Sequence, residues 1–212
     1  MDELLPIVEA TLADLHAPRQ LETIYDVKRL QAALQGKPFE REPVAYNHPI
    51  NWEEVKQIPR NQTVRITTSK GDLILQLHVE SAPGSVWNFL NTVRAGEYNG
   101  RYFHRVVPNF VIQGGCPRGD GWGAPDWTQR SEFSNELRYE RGSVGLASVG
   151  EDTEGVQFFI THCATPHLDG RYTIFATVID GLEVIDMIHV GDQILSVEEI
   201  KSTPATQTSS SH

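Results

Sequence analysis

Few residues of this sequence have a type and a spacing that suit catalysis or metal binding. Arg105 lies in a run of aromatic and β-branched residues, and its guanidinium could donate charge-assisted hydrogen bonds to a polarised group. An arginine in a strand is more commonly solvated or ion-paired, so Arg105 alone indicates little. His104 fits a structural hydrogen-bonding role better than that of an acid or base, and His162 and His167 lack metal-site spacing. Any chemistry here is predicted to proceed without a metal.

Other kinds of site are excluded by missing patterns. Cys116 and Cys163 form no CxxC pair and have no histidine partners at zinc-site spacing, and the sequence leaves open whether they form a disulfide. Two unpaired thiols are the simpler expectation. A GxSxG elbow is absent, which argues against a hydrolase. Residues 119–123 (GDGWG) precede no predicted helix and therefore do not indicate a phosphate-binding loop.

Composition narrows the classes of partner. The chain has 212 residues and a formal net charge of -10, which argues against nucleic acid because phosphate binding needs clustered Lys and Arg. Its apolar runs all fall short of the roughly 18 residues that a membrane span needs. The first residues, MDELLP, carry acids where a signal peptide has basic residues. The compartment stays open between the bacterial cell envelope and the cytoplasm.

The chain divides into four zones by pattern. Residues 1–36 show apolar residues at three- and four-residue spacing, which predicts two short helices ending at Gly36. They could equally be the end of a larger helical region. Residues 37–60 form a proline-rich connector, in which Asn51 could cap a helical turn and Trp52 and Ile58 could anchor the chain. Residues 61–201 form the main domain, and the Ser/Thr-rich residues 202–212 are predicted to be a disordered tail.

The main domain is predicted to be mainly β. Alternating apolar residues indicate a hairpin over 64–77, and Ser85 is the expected N-cap of an amphipathic helix ending at Gly96. Further short strands are expected at 103–112, 145–147, 156–161 and 172–179, with a second helix at 184–188. The glycine-rich residues 114–128 predict a long irregular loop. Many strands with two helices suggest a closed antiparallel barrel.

Several separated segments carry a resemblance to a known family. They are residues 68–72 (TSKGD), 82–89 (APGSVWNF), 102–115 (YFHRVVPNFVIQGG), 155–161 (GVQFFIT) and 168–175 (LDGRYTIF). In this order and spacing they resemble the cyclophilins, over about two thirds of the chain. The resemblance implies a closed eight-stranded antiparallel barrel capped by two helices, a lumen filled with side chains, and a shallow groove outside the barrel.

The same resemblance implies an activity and a set of site residues. Cyclophilins are peptidyl-prolyl cis-trans isomerases that act on proline-containing polypeptides and use no cofactor. Arg105 matches the catalytic arginine, and Gln113 matches the glutamine that orients it and contacts substrate backbone. The remaining matches form a proline pocket and a rim: Phe110, Val111, Phe159 and Leu168 for the pocket; Ala147, Ser148, Gln157, His167 and Tyr172 for the rim. We expect a monomeric enzyme; the alternative is a proline-peptide binding module with little turnover.

Four positions near this site depart from the commonest family pattern. Ser148 replaces a usual Asn, but it binds through its backbone, so the change should matter little. Val111 replaces a usual Met and slightly narrows the pocket wall. Glu154 and Val156 stand where Asn and Ser are usual, and could alter substrate preference along the groove.

Two further departures predict weak binding of the immunosuppressant cyclosporin. His167 stands where many family members have Trp, and Tyr172 where many have His; both resemble bacterial-type members. The Trp indole donates a hydrogen bond to cyclosporin, which His167 does not reproduce. We expect isomerase activity on an Ala-Pro peptide to persist under a cyclosporin titration. Inhibition at nanomolar cyclosporin would contradict this expectation.

Overall fold

The computed structural model describes residues 4–200 and contains one eight-stranded sheet and five α-helices within that range. The strands are β1 Thr63–Thr68, β2 Gly71–Leu77, β3 Phe103–Val107, β4 Val111–Gly114, β5 Ser143–Leu146, β6 Phe158–Thr161, β7 Ile174–Asp180 and β8 Ile194–Ile200. The helices are α1 Leu5–Ala13, α2 Leu21–Leu34, α3 Trp52–Val55, α4 Pro83–Arg94 and α5 Leu182–Met187. A short 3₁₀ turn covers Pro166–Leu168. Among these helices, none combines the length and apolarity that crossing a membrane requires.

The sheet curls around a closely packed apolar interior. Its order is β3-β4-β6-β5-β7-β2-β1-β8, and all neighbours are antiparallel. Inward-facing residues such as Ile66, Leu75, Phe158 and Phe175 are buried in a single cluster. Helix α4 packs against β7 and β8, and α5 packs against β2. The predicted hairpin, the filled interior and the two helices on the sheet are therefore present.

The expected closure into a complete barrel is wrong, because β3 and β8 do not pair as strands. Their ends meet at one bridge between Tyr102 and Gln193, supported by a hydrogen bond from the Phe103 amide to the Asp192 carbonyl at 2.9 Å. Next to this point the pairing of β3 with β4 shifts register between Phe103 and Arg105. The sheet is a curled half-barrel, and the gap between its edge strands β3 and β8 is bridged at one end only.

Helix α4 begins earlier than the sequence predicts. Its first residue is Pro83 and its N-cap is Ala82, so Ser85 lies inside the first turn rather than at the cap. The Glu132 carboxylate accepts hydrogen bonds from the Gly84 amide at 3.0 Å, the Ser85 amide at 2.8 Å and the Ser85 hydroxyl at 2.7 Å. A carboxylate from a distant loop thus satisfies the free N–H groups that a local cap would otherwise serve.

The connector between the N-terminal helices and the sheet is anchored by hydrogen bonds and ring stacking. The Asn47 side chain accepts a bond from the Thr128 amide at 2.8 Å, and the His48 ring stacks between Trp127 and Trp87 at centroid distances of 4.5 and 5.5 Å. The connector is therefore bound to the loop that precedes β5 and to α4.

The next part of the connector contains the one short helix predicted there. Asn51 caps α3 by accepting hydrogen bonds from the Glu53 and Glu54 amides at 3.2 and 3.4 Å. Ile58 is buried, as expected for an anchor, but Trp52 is 52% exposed and anchors nothing. Both cysteines are free thiols.

The loop between β5 and β6, residues 147–157, is held by a buried carboxyl group. Glu154 is fully buried and accepts hydrogen bonds from the Ser131 hydroxyl at 2.6 Å and the Thr173 hydroxyl at 3.1 Å. Burial raises the pKa of Glu154 from its ordinary value of 4.5 to about 7, although the two hydroxyl donors oppose the rise. The expectation that Glu154 tunes substrate preference from the groove is wrong, since its side chain faces the interior.

The buried Glu154 predicts a pH-dependent stability. A raised native pKa favours the protonated, folded form, so stability falls as pH rises from about 4.5 to about 7 and is level above that, by about 3 kcal/mol in total. Glu154→Gln, which cannot ionise, should remove this dependence and be the more stable protein at pH 8. Urea denaturation of both proteins at pH 5 and pH 8 measures the difference. The matched control is Glu151→Gln, because Glu151 is exposed in the same loop. Identical pH profiles for wild type and Glu154→Gln would contradict the prediction.

Candidate functional site

The register of three neighbouring strands places the central predicted residues in one row. Arg105 on β3 lies opposite Gln113 on β4, and Gln113 lies opposite Phe159 on β6. The row continues to Gly145 on β5. Successive side chains of a strand alternate between the two faces of a sheet, so these residues share the outer face while Ile112, next to Gln113, points into the core.

A chain of hydrogen bonds runs outward from Arg105. Its Nη1 donates to Gln113 Oε1 at 3.4 Å, and Gln113 Nε2 donates to Gln157 Oε1 at 3.1 Å. Gln157 Nε2 then donates to the carbonyl oxygens of Gly121 and Gly123 at 2.9 and 2.7 Å. The amide of Gln113 is thereby fixed in orientation, with its oxygen toward the guanidinium.

The remaining donors of Arg105 face the groove. The guanidinium lies over the Phe110 ring at 5.8 Å, and Arg105 is exposed. Within residues 4–200 it makes no ion pair, so no carboxylate competes for its N–H groups. Burial lowers the pKa of the neighbouring His104 and Asp120 partly offsets this, so that histidine is held neutral. Because no carboxylate within residues 4–200 pairs with it, Arg105 is a positive, solvent-facing donor on this face.

An apolar pocket lies beside the guanidinium. Val111, Phe159 and Leu168 are buried there, and Phe110 and Tyr172 pack against them half-buried. Phe159 meets the Tyr172 ring edge-on at 5.7 Å. The cluster is separate from the interior of the sheet, so the outer face carries a small core of its own.

Tyr139 supports this pocket from behind. It stacks on Phe159 at 5.5 Å, and its hydroxyl donates to the Thr173 carbonyl at 3.2 Å. The row position Gly145 must be glycine, because a Cβ there would lie 2.1 Å from the Tyr139 hydroxyl and 2.6 Å from the Phe159 ring. The missing side chain at Gly145 is what lets the two aromatic rings stack beneath the pocket.

Ten of the eleven site residues predicted from sequence line one cavity of about 580 Å³. They are Arg105, Phe110, Val111, Gln113, Ala147, Ser148, Gln157, Phe159, Leu168 and Tyr172. The exception is His167, which lies outside the cavity lining and stacks on Phe110 at 5.4 Å. The backbone rim is formed where the Ala147 amide donates to the Gln157 carbonyl at 2.9 Å.

Several lining residues are absent from the prediction. Gly121, Gly123 and Trp127 belong to the long loop, and Val149 and Thr153 to the loop after β5. The glycine cluster in the sequence was a signal that could have pointed to Gly121. The structure shows why glycine is needed there, because its φ is +90° and a Cβ would lie 3.1 Å from the His104 ring. The N-terminal residues that line the cavity carry no sequence signal, since only the fold brings them there.

Comparisons with known proteins agree with this geometry. The family described as "Cyclophilin type peptidyl-prolyl cis-trans isomerase/CLD" matches residues 63–207. A "Peptidyl-prolyl cis-trans isomerase" of Helicobacter pylori is 42% identical over 154 residues, which cover 70% of this chain and 94% of the relative. "Peptidyl-prolyl cis-trans isomerase B" of Bacillus subtilis is 45% identical over 123 residues, covering 58% of this chain and 86% of the relative.

Solved structures show the same fold. A cyclophilin type isomerase of Cryptosporidium parvum matches with a TM-score of 0.64 and 33% identity, over 67% of this chain and 99% of that chain. Its crystal structure in the presence of the dipeptide Ala-Pro matches with a TM-score of 0.64 and 34% identity, over 66% and 100%. The sheet with its outer groove, the family match and these relatives together establish that this chain belongs to the cyclophilin-type peptidyl-prolyl cis-trans isomerases.

Proposed function

We propose that this isomerase accelerates rotation about X-Pro bonds by donating a hydrogen bond from Arg105 to the proline nitrogen of the twisted transition state. The observation that carries the proposal is the Arg105 guanidinium, which makes no ion pair within residues 4–200 and lies beside an apolar pocket on one face of the sheet. The proline ring occupies the pocket formed by Phe110, Val111, Phe159 and Leu168. The reaction is non-covalent and needs neither metal nor cofactor.

The chemistry explains why an arginine is suited to this position. Rotation about the peptide bond costs about 18–20 kcal/mol because amide resonance is lost in the twisted state. The proline nitrogen then becomes pyramidal and gains a lone pair that the planar amide lacks. A hydrogen bond to that lone pair exists only in the transition state, so it raises kcat rather than affinity alone. Arg105 can donate this hydrogen bond itself, or it can promote an intramolecular N–H contact to the same lone pair.

Arg105 cannot supply the whole acceleration. A 10⁵-fold acceleration corresponds to about 7 kcal/mol, whereas a hydrogen bond from a charged donor contributes about 1.5–3 kcal/mol. Orientation of the substrate and exclusion of water from the groove supply the remainder. Gln113 contributes by holding the guanidinium in place through the hydrogen bond between Arg105 Nη1 and Gln113 Oε1.

The rest of the groove binds the polypeptide around the proline. Ala147, Ser148 and Gln157 form the backbone rim, Tyr172 bounds the pocket on the other side, and His167 stacks on Phe110 outside the cavity lining. The crystal structure of a relative in the presence of the dipeptide Ala-Pro supports proline-containing peptides as ligands of this groove. One chain forms the complete groove, so the proposed functional unit is a monomer.

Replacement of Arg105 tests the mechanism. Arg105→Ala should lower kcat on an Ala-Pro peptide by one to two orders of magnitude, as expected for the loss of a charge-assisted hydrogen bond of about 1.5–3 kcal/mol, with a small change in peptide affinity. NMR exchange spectroscopy measures the isomerisation and a titration measures the affinity. Arg65→Ala, an exposed strand arginine paired with Asp72, is the matched control and should keep full activity.

The same assay separates the two functional alternatives. A wild-type protein that binds the peptide without accelerating isomerisation would leave the binding-module interpretation. An Arg105→Ala protein with unchanged kcat would instead reject the role assigned to the guanidinium.

Replacement of Gln113 tests positioning. Gln113→Leu removes both the acceptor for Arg105 and the donor to Gln157, and should lower kcat several-fold while leaving the melting temperature close to that of wild type. The NMR signal of the Arg105 Nε–H group should broaden as the guanidinium loses its fixed orientation. A reduced kcat with an unchanged Arg105 signal would mean that Gln113 acts on the substrate instead.

A further inference from the structure

The cavity that contains Arg105 and the proline pocket continues well past the residues assigned to the groove. Beyond Gln157 and Gly123 it reaches the N-terminal segment 18–22, which joins α1 to α2 and includes the first two residues of α2. Pro18, Arg19, Leu21 and Glu22 of this segment form the far wall. A volume of about 580 Å³ falls within the range that encloses a drug-sized ligand, so the cavity has room for more than an X-Pro pair.

The N-terminal segment 18–22 is held at this wall by several contacts. Leu21 and Tyr25 are the buried residues of α2, and the Tyr25 hydroxyl donates to the Glu42 carbonyl at 3.0 Å. Arg41 lies over the Tyr25 ring at 5.0 Å, and Arg19 reaches Asp126 of the long loop at 3.7 Å. The helical segment thus packs on the connector and on the loop that borders the groove.

The far end of the cavity is mainly apolar. Its side walls come from Leu21, Pro125, Trp127, Val149 and Val156. The charged groups beside it are one cation, Arg19, and two carboxylates, Glu22 and Asp126, with Arg19 and Asp126 paired. A surface of this kind suits an uncharged apolar side chain better than a charged one.

We propose that the N-terminal segment 18–22 is part of the substrate-binding site, and that its Leu21 contacts an apolar side chain of the bound polypeptide outside the X-Pro pair. The proposal rests on the function proposed above, because it places the substrate in the same groove. The helical segment then sets the enzyme's preference for residues that flank the proline.

Titration of the wild-type protein with four peptides tests the contact directly. The peptides carry Leu or Gly two positions from the proline, in one series before it and in another after it. The backbone NMR signals of Ala147 and Gln157 should shift with every peptide. Those of Arg19, Leu21 and Glu22 should shift with a Leu peptide of one series only, because the wall lies at one end of the groove.

Kinetics test the consequence for specificity. In that series wild type should favour Leu over Gly about fivefold in kcat/KM, as for an apolar side chain in a partly enclosed pocket. Leu21→Ala should reduce the ratio to less than about twofold. Leu30→Ala, the same change at an exposed position of α2, is the matched control and should keep the wild-type ratio.

The outcomes separate this proposal from the proposed function. If the NMR signals of Ala147 and Gln157 shift while those of residues 18–22 do not shift with any peptide, the far wall does not contact substrate and the proposal is overturned. An unchanged Leu preference in Leu21→Ala would overturn it as well. If the signals of Ala147 and Gln157 do not shift with any peptide, the groove itself is misassigned and the proposed function fails with it.

Discussion

The site depends on the register of the β3–β4–β6 pairing. Arg105, Gln113 and Phe159 lie opposite one another on adjacent strands, which brings the donor, its positioning amide and the pocket wall into one row on the outer face. A slip of one residue on β6 would turn Phe159 inward and expose its buried neighbours. Because Phe158 and Ile160 fill the interior, the hydrophobic core holds this register. The stability of the sheet and the geometry of the groove therefore depend on the same side chains.

Loops without regular structure form much of the groove, and buried polar side chains hold them in place. Glu132 ties the loop between β4 and β5 to the start of α4, and Glu154 ties the β5–β6 loop to Ser131 and Thr173. Gln157 joins both loops to the strands, because its side chain donates hydrogen bonds to the carbonyls of the glycine-rich segment and accepts one from Gln113 on β4. Hydrogen bonds in a buried environment are costly to break, so these few contacts give irregular segments a defined shape.

Sequence patterns predicted the elements with strong local signals and missed those decided by distant partners. The β1–β2 hairpin, the N-terminal helices and α5 follow from alternation, helical spacing and glycine stops. Strand β8 was not predicted, since its pairing with β1 joins residues that are far apart in the chain. The start of α4 was misplaced because the distant Glu132 accepts the hydrogen bonds of its first free N–H groups, and the sheet stays open because β3 and β8 meet only at the Tyr102–Gln193 bridge. Local propensity carries no information about such partners.

The sequence by itself determined the family and the reaction, because several separated motifs resemble those of the cyclophilins in order and spacing, and the same resemblance predicted the residues of the groove. Ten of those residues do line one cavity. Only the tertiary structure decided which way Glu154 points, what lies behind Phe159, and which part of the chain closes the far end of the groove. The last of these is the N-terminal segment 18–22, some eighty residues from Arg105 in sequence. Its position depends on long-range packing through Leu21, Tyr25 and the anchored connector, which no local pattern specifies.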